Sequence, residues 1–364
     1  MKAKNNRKKK KGHLLFGLTA RALMLVAAAG LMASYLSMFV NPAKLWLATL
    51  AGLVFFPFFL LNVFLFVWAI VRRSRSVLIP FIVLVPAFFL AGRFIQTGGA
   101  GAKDGDAPVK MVSYNVGRFM QSSRLSGVKS SGECRDSIFS WLKKTDADVI
   151  CLQEYYCESS DALKKAMKKN FPKYNCEYYI NRQTKGLCGN VILSRFPVTG
   201  KGKFDFENSS NLAFYTDVKM PTRTVRVYNC HFESYNISIS RLSETWGRDT
   251  ALVHEAEAKM RRSLSLRPKQ VDEIMKSMKS SPVESVVVGD FNDNPISYTY
   301  QALRRSHKDS FVEAGKGLGG TFSLLWPFLR IDYILFPDDC RGTYHKVTRL
   351  KYSDHYPVTA DVVF

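Results

Sequence analysis

No aspartate or glutamate occurs in the first 103 residues of this 364-residue chain. The same stretch holds 14 of the 52 lysines and arginines. The remainder carries 38 basic against 30 acidic side chains, so only +8 of the net charge of +22 belongs to it. The basic excess is therefore not a nucleic-acid footprint, and a surplus of +8 on a large domain suits a polyanion without requiring one. The chain also lacks CxxC spacing, internal repeats and coiled-coil heptads, which removes the usual signatures of cysteine zinc sites, solenoids and coiled coils. Its seven cysteines (Cys134, Cys151, Cys157, Cys176, Cys188, Cys230 and Cys340) are an odd number and cannot all pair. Cys151 and Cys230 lie in apolar, strand-like runs and read as small core residues. Cys157, Cys176 and Cys188 leave a disulfide open.

The acid-free stretch is built of three long apolar runs. After Lys8-Lys9-Lys10-Lys11 they extend over about 14–40, 45–71 and 77–95. A membrane-spanning helix needs roughly 20 mostly apolar residues. The second run meets this easily, and the first does so if Arg21 snorkels to the interface. The third, with Pro80, Pro86 and Arg93, is read either as a span or as a re-entrant segment. The basic N-terminus and Arg72-Arg73-Ser74-Arg75 are expected on the cytoplasmic side. Three crossings then place the remainder outside the cytoplasm, and two place it inside. Gln96 to Ala102 is rich in glycine and reads as a flexible tether. The expected organisation is a membrane region over 1–96, a linker over 97–108 and a catalytic domain over 109–364.

From Val109 the texture changes to short strands with few helices and no regular βαβ rhythm, which favours mixed sheets packed face to face. Helices are expected over 136–144 and 163–170, and as two separate segments over 250–264 and 268–278, with Pro268 opening the second. Several strands end in a lone polar residue: Asn115, Glu154, His231 and Asp290. Asp332 lies within a strand, and Ser353-Asp354-His355 precedes the last one. Val286-Val287-Val288-Gly289-Asp290-Phe291-Asn292 reads as a buried strand that delivers Asp290 and Asn292 to one face, since i and i+2 share a face. Taken alone it also reads as a polar turn. Six such strand ends clustered at one edge of a sandwich would make a site.

These pieces resemble the endonuclease/exonuclease/phosphatase superfamily, which includes pancreatic-type DNases, abasic-site endonucleases, inositol polyphosphate 5-phosphatases and bacterial sphingomyelinases. The resemblance rests on Ser113-Tyr114-Asn115-Val116, Leu152-Gln153-Glu154, Gly189-Asn190-Val191-Ile192-Leu193-Ser194-Arg195, Asn229-Cys230-His231, Gly289-Asp290-Phe291-Asn292, Arg330-Ile331-Asp332-Tyr333-Ile334 and Ser353-Asp354-His355, in that order. It implies an α/β (α+β) fold, a four-layer sandwich of two mixed β-sheets flanked by helices, here preceded by about three transmembrane helices. It also implies phosphodiester or phosphomonoester hydrolysis by in-line attack of water, with Mg2+ or Mn2+. In that pattern Glu154, Asn115 and Asp354 hold metal. Asp290 activates the water and Asn292 hydrogen-bonds the phosphoryl group. His231 and His355 contact its oxygens, Asp332 orients His355, and Asn190 touches substrate.

The Trp and Arg that accompany the Gly-Asp-Phe-Asn motif in the 5-phosphatases are absent, and the stretch over 234–267 is longer than a minimal member needs. Its Ile237, Ile239, Leu242 and Trp246 form either a packing face or an exposed contact. The expected substrate is a phosphate ester: nucleic acid, phospholipid headgroup or small phosphate. The other partner is the bilayer, and no protein partner is inferable. An extracytoplasmic nuclease and a non-catalytic membrane scaffold are the competing readings.

Overall fold

The computed structural model describes residues 2–99, 101–120, 130–235 and 250–364. Ile237, Ile239, Leu242 and Trp246 lie outside the described residues. The chain divides into two compact units, Met1–Ala91 with Ile296–Tyr298, and Gly92–Pro295 with Thr299–Phe364.

The first unit is helical: α1 (Lys2–Leu36), α2 (Trp46–Leu53), α3 (Phe55–Val71) and α4 (Leu78–Leu90). Two stretches, Gly17–Leu36 and Arg75–Arg93, are long and apolar enough to cross a membrane. The run expected to span most easily is the one that breaks. Val54 leaves helical geometry at φ −96°, ψ 21°, and α3 has 17 residues, about 25 Å of helix. Pro57 explains the restart. It lacks the N–H that would bond the Leu53 carbonyl, and it stands in the first turn of α3, where that donor has no partner to lose. Met24 and Ala27 of α1 pack on Leu65 and Ala69 of α3, and Asn62 Nδ2 donates to the Ala27 carbonyl at 2.9 Å. Arg21 Nε donates to Ser76 Oγ at 3.1 Å.

In the second unit the β-branched runs become two six-stranded sheets. One contains β2 (Val109–Asn115), β3 (Val149–Cys157), β4 (Asn175–Arg182), β5 (Leu187–Ser194), β13 (Arg341–Val347) and β14 (Val358–Val363), in the order β13-β14-β2-β3-β5-β4. The other contains β6 (Val198–Phe204), β7 (Ala213–Lys219), β8 (Thr224–His231), β9 (Ser285–Asp290), β10 (His307–Asp309) and β12 (Asp332–Pro337), in the order β10-β12-β9-β8-β7-β6. Strand alternation separates two cores. Met111, Cys151, Ile192, Val227, Val288 and Ile334 share the core between the sheets. Their neighbours Val112, Ile150, Leu152, Val191 and Leu193 point outward, to Ile138 and Leu142 of α5 (Ser131–Thr145) and Leu163 of α6 (Ser160–Asn170). Tyr228, on the outer face of the second sheet, meets Ser277 of α7 (Thr250–Ser280) at 2.9 Å. The layers are helix, sheet, sheet, helix, as expected.

Two expectations need correcting. The segments over 250–264 and 268–278 form one helix, α7, with Pro268 inside it. Buried Leu264, Arg267, Val271 and Ile274 seat both halves, and this packing outweighs the single backbone bond that Pro268 forfeits. The expected tether is docked at its start: β1 (Ile95–Thr97) pairs with β11 (Lys316–Leu318). Arg330 Nη2 donates to the Arg93 carbonyl at 2.9 Å. All seven cysteines are free thiols, with Cys151 and Cys230 fully buried in the core.

Candidate active site

Strand direction assembles the site. β2 and β3 are parallel, as are β8 and β9, so Asn115 and Glu154, and likewise His231 and Asp290, arrive at the same edge. β12 runs antiparallel to β9 and begins there, with Asp332 the register partner of Asp290. β14 runs antiparallel to β2, with Val358 opposite Ser113, and His355 stands just before it.

Local backbone then aims each group. The β3–β5 register shifts between Leu152 and Tyr155, and Glu154 within this bulge has φ 51°. Bulges of this kind re-aim a side chain. At Gly289, φ is +135° and a Cβ would fall 1.9 Å from the Cys230 carbonyl oxygen. No other residue fits where β8 and β9 press together ahead of Asp290. The strand ends at Asp290, and Asn292 has φ 51°. Asp290 and Asn292 therefore do not share a strand face, contrary to expectation. Asn292 is brought back by a turn, in which its backbone N–H donates to Asp290 Oδ1 at 2.8 Å and its Nδ2 to Asp290 Oδ2 at 3.3 Å and to the Phe232 carbonyl at 2.9 Å.

The polar groups form one network. Asn115 Nδ2 bridges two carboxylates, 3.0 Å from Asp290 Oδ2 and 3.2 Å from Glu154 Oε1, while its Oδ1 accepts from Gly117 N–H at 3.0 Å. His355 Nδ1 lies 3.0 Å from Asp332 Oδ2, and its Nε2 lies 3.6 Å from Asp290 Oδ2. His231 Nε2 is 3.7 Å from both Glu154 Oε1 and Asp290 Oδ2 and makes no hydrogen bond among the described residues. One carboxylate oxygen each of Asp290 and Asp332 and one His355 nitrogen lie within 4.8 Å of one another.

Burial sets the charges. It disfavours an anion at Asp290 and raises its pKa, although His355 opposes the effect. Burial also disfavours the His355 cation, but Asp332 and Asp290 outweigh it and its pKa stands well above the ordinary histidine value. At Glu154 burial is outweighed by His231, the Asn115 amide, His355 and Arg118, and the pKa is lowered.

Asn190 is fully buried on β5. Its Nδ2 donates across to the second sheet, to the carbonyls of Leu212 and Asn229, each at 3.1 Å. Its Oδ1 has no hydrogen-bond partner among the described residues, and Asn190 lines a cleft of about 40 Å³ together with Glu154, His231 and Arg118. Asp354 is exposed. Its carboxylate lies 3.3 Å from Ser353 Oγ and borders Gly117, so Asp354 is not in the bridged Asn115–Glu154–Asp290 group. A larger cavity, about 620 Å³, opens at the opposite ends of β9 and β12 beside Ser285, His307 and Pro337, and none of the clustered residues lines it.

Several residues that sequence reasoning left without a role support the site. Asn229 Nδ2 donates to the carbonyls of Leu152 and Val191 at 3.0 and 2.9 Å, and its Oδ1 accepts from Gln153 Nε2 at 2.8 Å, which staples the sheets. Ser353 Oγ donates to the Asn115 carbonyl at 2.7 Å. Thr321 Oγ1 accepts from the N–H groups of Ile331 and Asp332. Arg118 Nε stands 3.4 Å from Glu154 Oε2. Gln153, Asn229 and Ser353 lie inside the motifs noted in the sequence, and a polar residue next to each site residue was the available signal. Arg118 had no such signal.

Comparison with known proteins places this geometry. A family model described as "Endonuclease/Exonuclease/phosphatase family" matches residues 112–355, and a domain of unknown function (DUF8431) matches residues 15–94. No curated protein matches the chain. Among solved structures, Danio rerio TDP2 humanized by 14 mutations is 16% identical, with a TM-score of 0.50, 71% of this chain and 99% of that one being covered. The human Nocturnin catalytic domain is 14% identical, with a TM-score of 0.50 and coverages of 71% and 96%. These likenesses show the fold. The family match spans about two-thirds of the sequence, and with it the chain belongs to the endonuclease/exonuclease/phosphatase family of phosphoester hydrolases.

Proposed function

We propose that the protein is a membrane-anchored, divalent-metal-dependent phosphoesterase that directs a water in line at a phosphorus atom. The observation that carries this reading is the convergence of Asn115, Glu154, Asp290, Asp332 and His355 in one network, with His231 Nε2 beside it left without a hydrogen-bond partner among the described residues. Buried polar atoms are rarely left without partners unless a ligand or ion completes them.

The donor set fits a hard cation. Glu154 keeps 26% of its side chain exposed, whereas Asp290 keeps 1%. Magnesium retains several waters and takes one or two carboxylates, so Glu154, beside the Asn115 amide, is the ligand with room for it. Asp354 is within reach as electrostatic support. The family is generally divalent-metal dependent, and magnesium or manganese would neutralise charge developing on a phosphoryl oxygen. The rest is the work of the chain. Asp290, made more basic by burial and held by Asn115 and Asn292, takes the proton of the attacking water. His355, kept cationic by Asp332, and His231 donate to non-bridging oxygens. Asn292 positions the phosphoryl group, and Asn190 offers its Oδ1 to a substrate hydroxyl.

Gly17–Leu36, Arg75–Arg93 and the 17-residue α3 make three crossings; 17 residues is at the short limit for a span. With the basic segments in the cytoplasm, the catalytic unit lies outside it. A topology reporter fused after Phe364 that read cytoplasmic would refute this.

The purified full chain, assayed on DNA, RNA, phospholipids and inositol phosphates with Mg2+ or Mn2+, is expected to hydrolyse at least one class, to stop on chelation and to recover on metal addition. No turnover of any class would overturn the reading. Activity confined to nucleic acid would assign an extracytoplasmic nuclease.

A further inference from the structure

We infer that the loop over 323–328 is a lipid-docking surface that seats the mouth of the active site on the bilayer. This rests on the reading of the N-terminal helices as membrane spans. Leu324, Leu325, Trp326 and Phe328 are between 42% and 58% exposed, a large apolar cluster for one short loop. Soluble surfaces seldom carry such a patch unless it meets a partner or a membrane.

Chain connectivity identifies the occupant. The apolar helical stretch Arg75–Arg93 ends two residues before Ile95. Ile95 is the register partner of Leu318 in the β1–β11 pair, and both are exposed. Directly opposed residues point to the same side of a sheet, so Ile95 and Leu318 make one exposed apolar pair on the catalytic unit, two residues along the chain from the last residue of that stretch. Ser323 follows Leu318 by five positions, a reach of at most about 18 Å. The loop is therefore held close to the point where the chain leaves the helix.

The charge pattern agrees. No acidic residue occurs between Lys316 and Ile331. Arg349 lies 4.7 Å over the Trp326 ring, and Lys351 is exposed nearby in sequence. Aromatic and aliphatic side chains beside cations suit the boundary between acyl chains and anionic headgroups. The loop is also joined to the site. Phe322 forms a β-bridge with His355, with ring centroids 5.3 Å apart, and Ser323 N–H donates to the Asp354 carbonyl at 2.8 Å. A bilayer against this loop therefore lies beside His355, and the substrates it presents are phosphoesters at a membrane surface.

The test uses the full chain in vesicles of phosphatidylcholine and phosphatidylglycerol, with and without brominated acyl chains. Subtracting the emission of the Trp326→Phe variant from that of the parent isolates Trp326. Quenching by bromolipid together with protection from acrylamide is expected. Free acrylamide access, or protection without bromolipid quenching as in a contact with a second copy, would overturn the inference. A variant with Leu324, Leu325, Trp326 and Phe328 all changed to Ser is expected to keep turnover of soluble bis(p-nitrophenyl) phosphate within twofold and to lose tenfold or more on vesicle phospholipid. Equal losses on both substrates would count against docking. If bromolipid quenches Trp326 but no phosphoester is cleaved, docking stands and the enzyme assignment falls.

Discussion

Asp290 and Asp332 are register partners across the antiparallel β9–β12 pair, and both carboxylates turn to the same ring, that of His355. Asp332 takes Nδ1, which leaves Nε2 to face Asp290. Asp332→Asn is expected to lower the His355 pKa toward its ordinary value, because the opposing burial is then less fully countered. Activity that needs the imidazolium should then be lost at lower pH than in the parent, with kcat reduced about 10²-fold. A pH–rate profile with histidine NMR titration checks both; an unmoved profile would remove Asp332 from the role.

Asp290→Ala is expected to lower kcat by roughly 10²–10⁴-fold, the range for loss of a general base. The fold should survive with a lower melting temperature, since the Asn292 backbone N–H loses its acceptor and the buried His355 loses a facing carboxylate. Single-turnover assays beside calorimetry test this, and unchanged phosphoester cleavage would show that another group is the base.

Asn229→Leu should act on stability. It removes the side-chain donor to the carbonyls of Leu152 and Val191 and the shortest of the acceptors of Gln153 Nε2, which keeps the Cys151 carbonyl at 3.3 Å. Each buried group left unpaired costs about 1–3 kcal/mol, so with two carbonyls losing their side-chain donor the denaturant midpoint should fall by the equivalent of at least about 2 kcal/mol. A loss below about 1 kcal/mol would mean the sheets are not held by this side chain.

His345 gives a pH-dependent stability. Burial lowers its pKa to about 3, and its Nδ1 sits 2.9 Å from Ser310 Oγ. Below the ordinary value of 6.5 the unfolded chain takes up a proton that the folded chain refuses. Stability from this group is therefore complete above about pH 6.5 and falls as pH drops toward 3, by up to about 1.4 kcal/mol per unit. Urea midpoints at pH 7 and 4.5 should differ less in His345→Asn than in the parent. An equal difference would remove His345 as a cause.

Much of this was legible locally. Val286-Val287-Val288 had to be a buried strand, and a carboxylate after Gly289 had to be either solvated or functional. The polar groups that close neighbouring strands carried the same message, and their order along the chain pointed to the family. Where a local rule was extended across a break it failed. Asn292 reaches Asp290 by a left-handed turn and not by strand alternation. Pro268 sits inside a helix because packing on both sides overrides its missing donor. Val54 splits the run that composition alone marked as the best span, and Gln96 and Thr97 are paired with Gly317 and Lys316 and do not begin a loose tether.

By itself the sequence determined which residues are strand-end donors, acceptors and bases, because alternation and β-branching are properties of neighbours along the chain. It also determined the charge asymmetry that separates the N-terminal third from the rest. Only the tertiary structure decided that Asn115, Glu154, His231, Asp290, Asp332 and His355 meet. That meeting depends on β2–β3 and β8–β9 being parallel and on β12 and β14 running against them, and strand direction comes from pairings between residues far apart in the chain. For the same reason the structure alone made Asn229 a staple between sheets and set Phe322, at the start of an apolar loop, against the ring of His355.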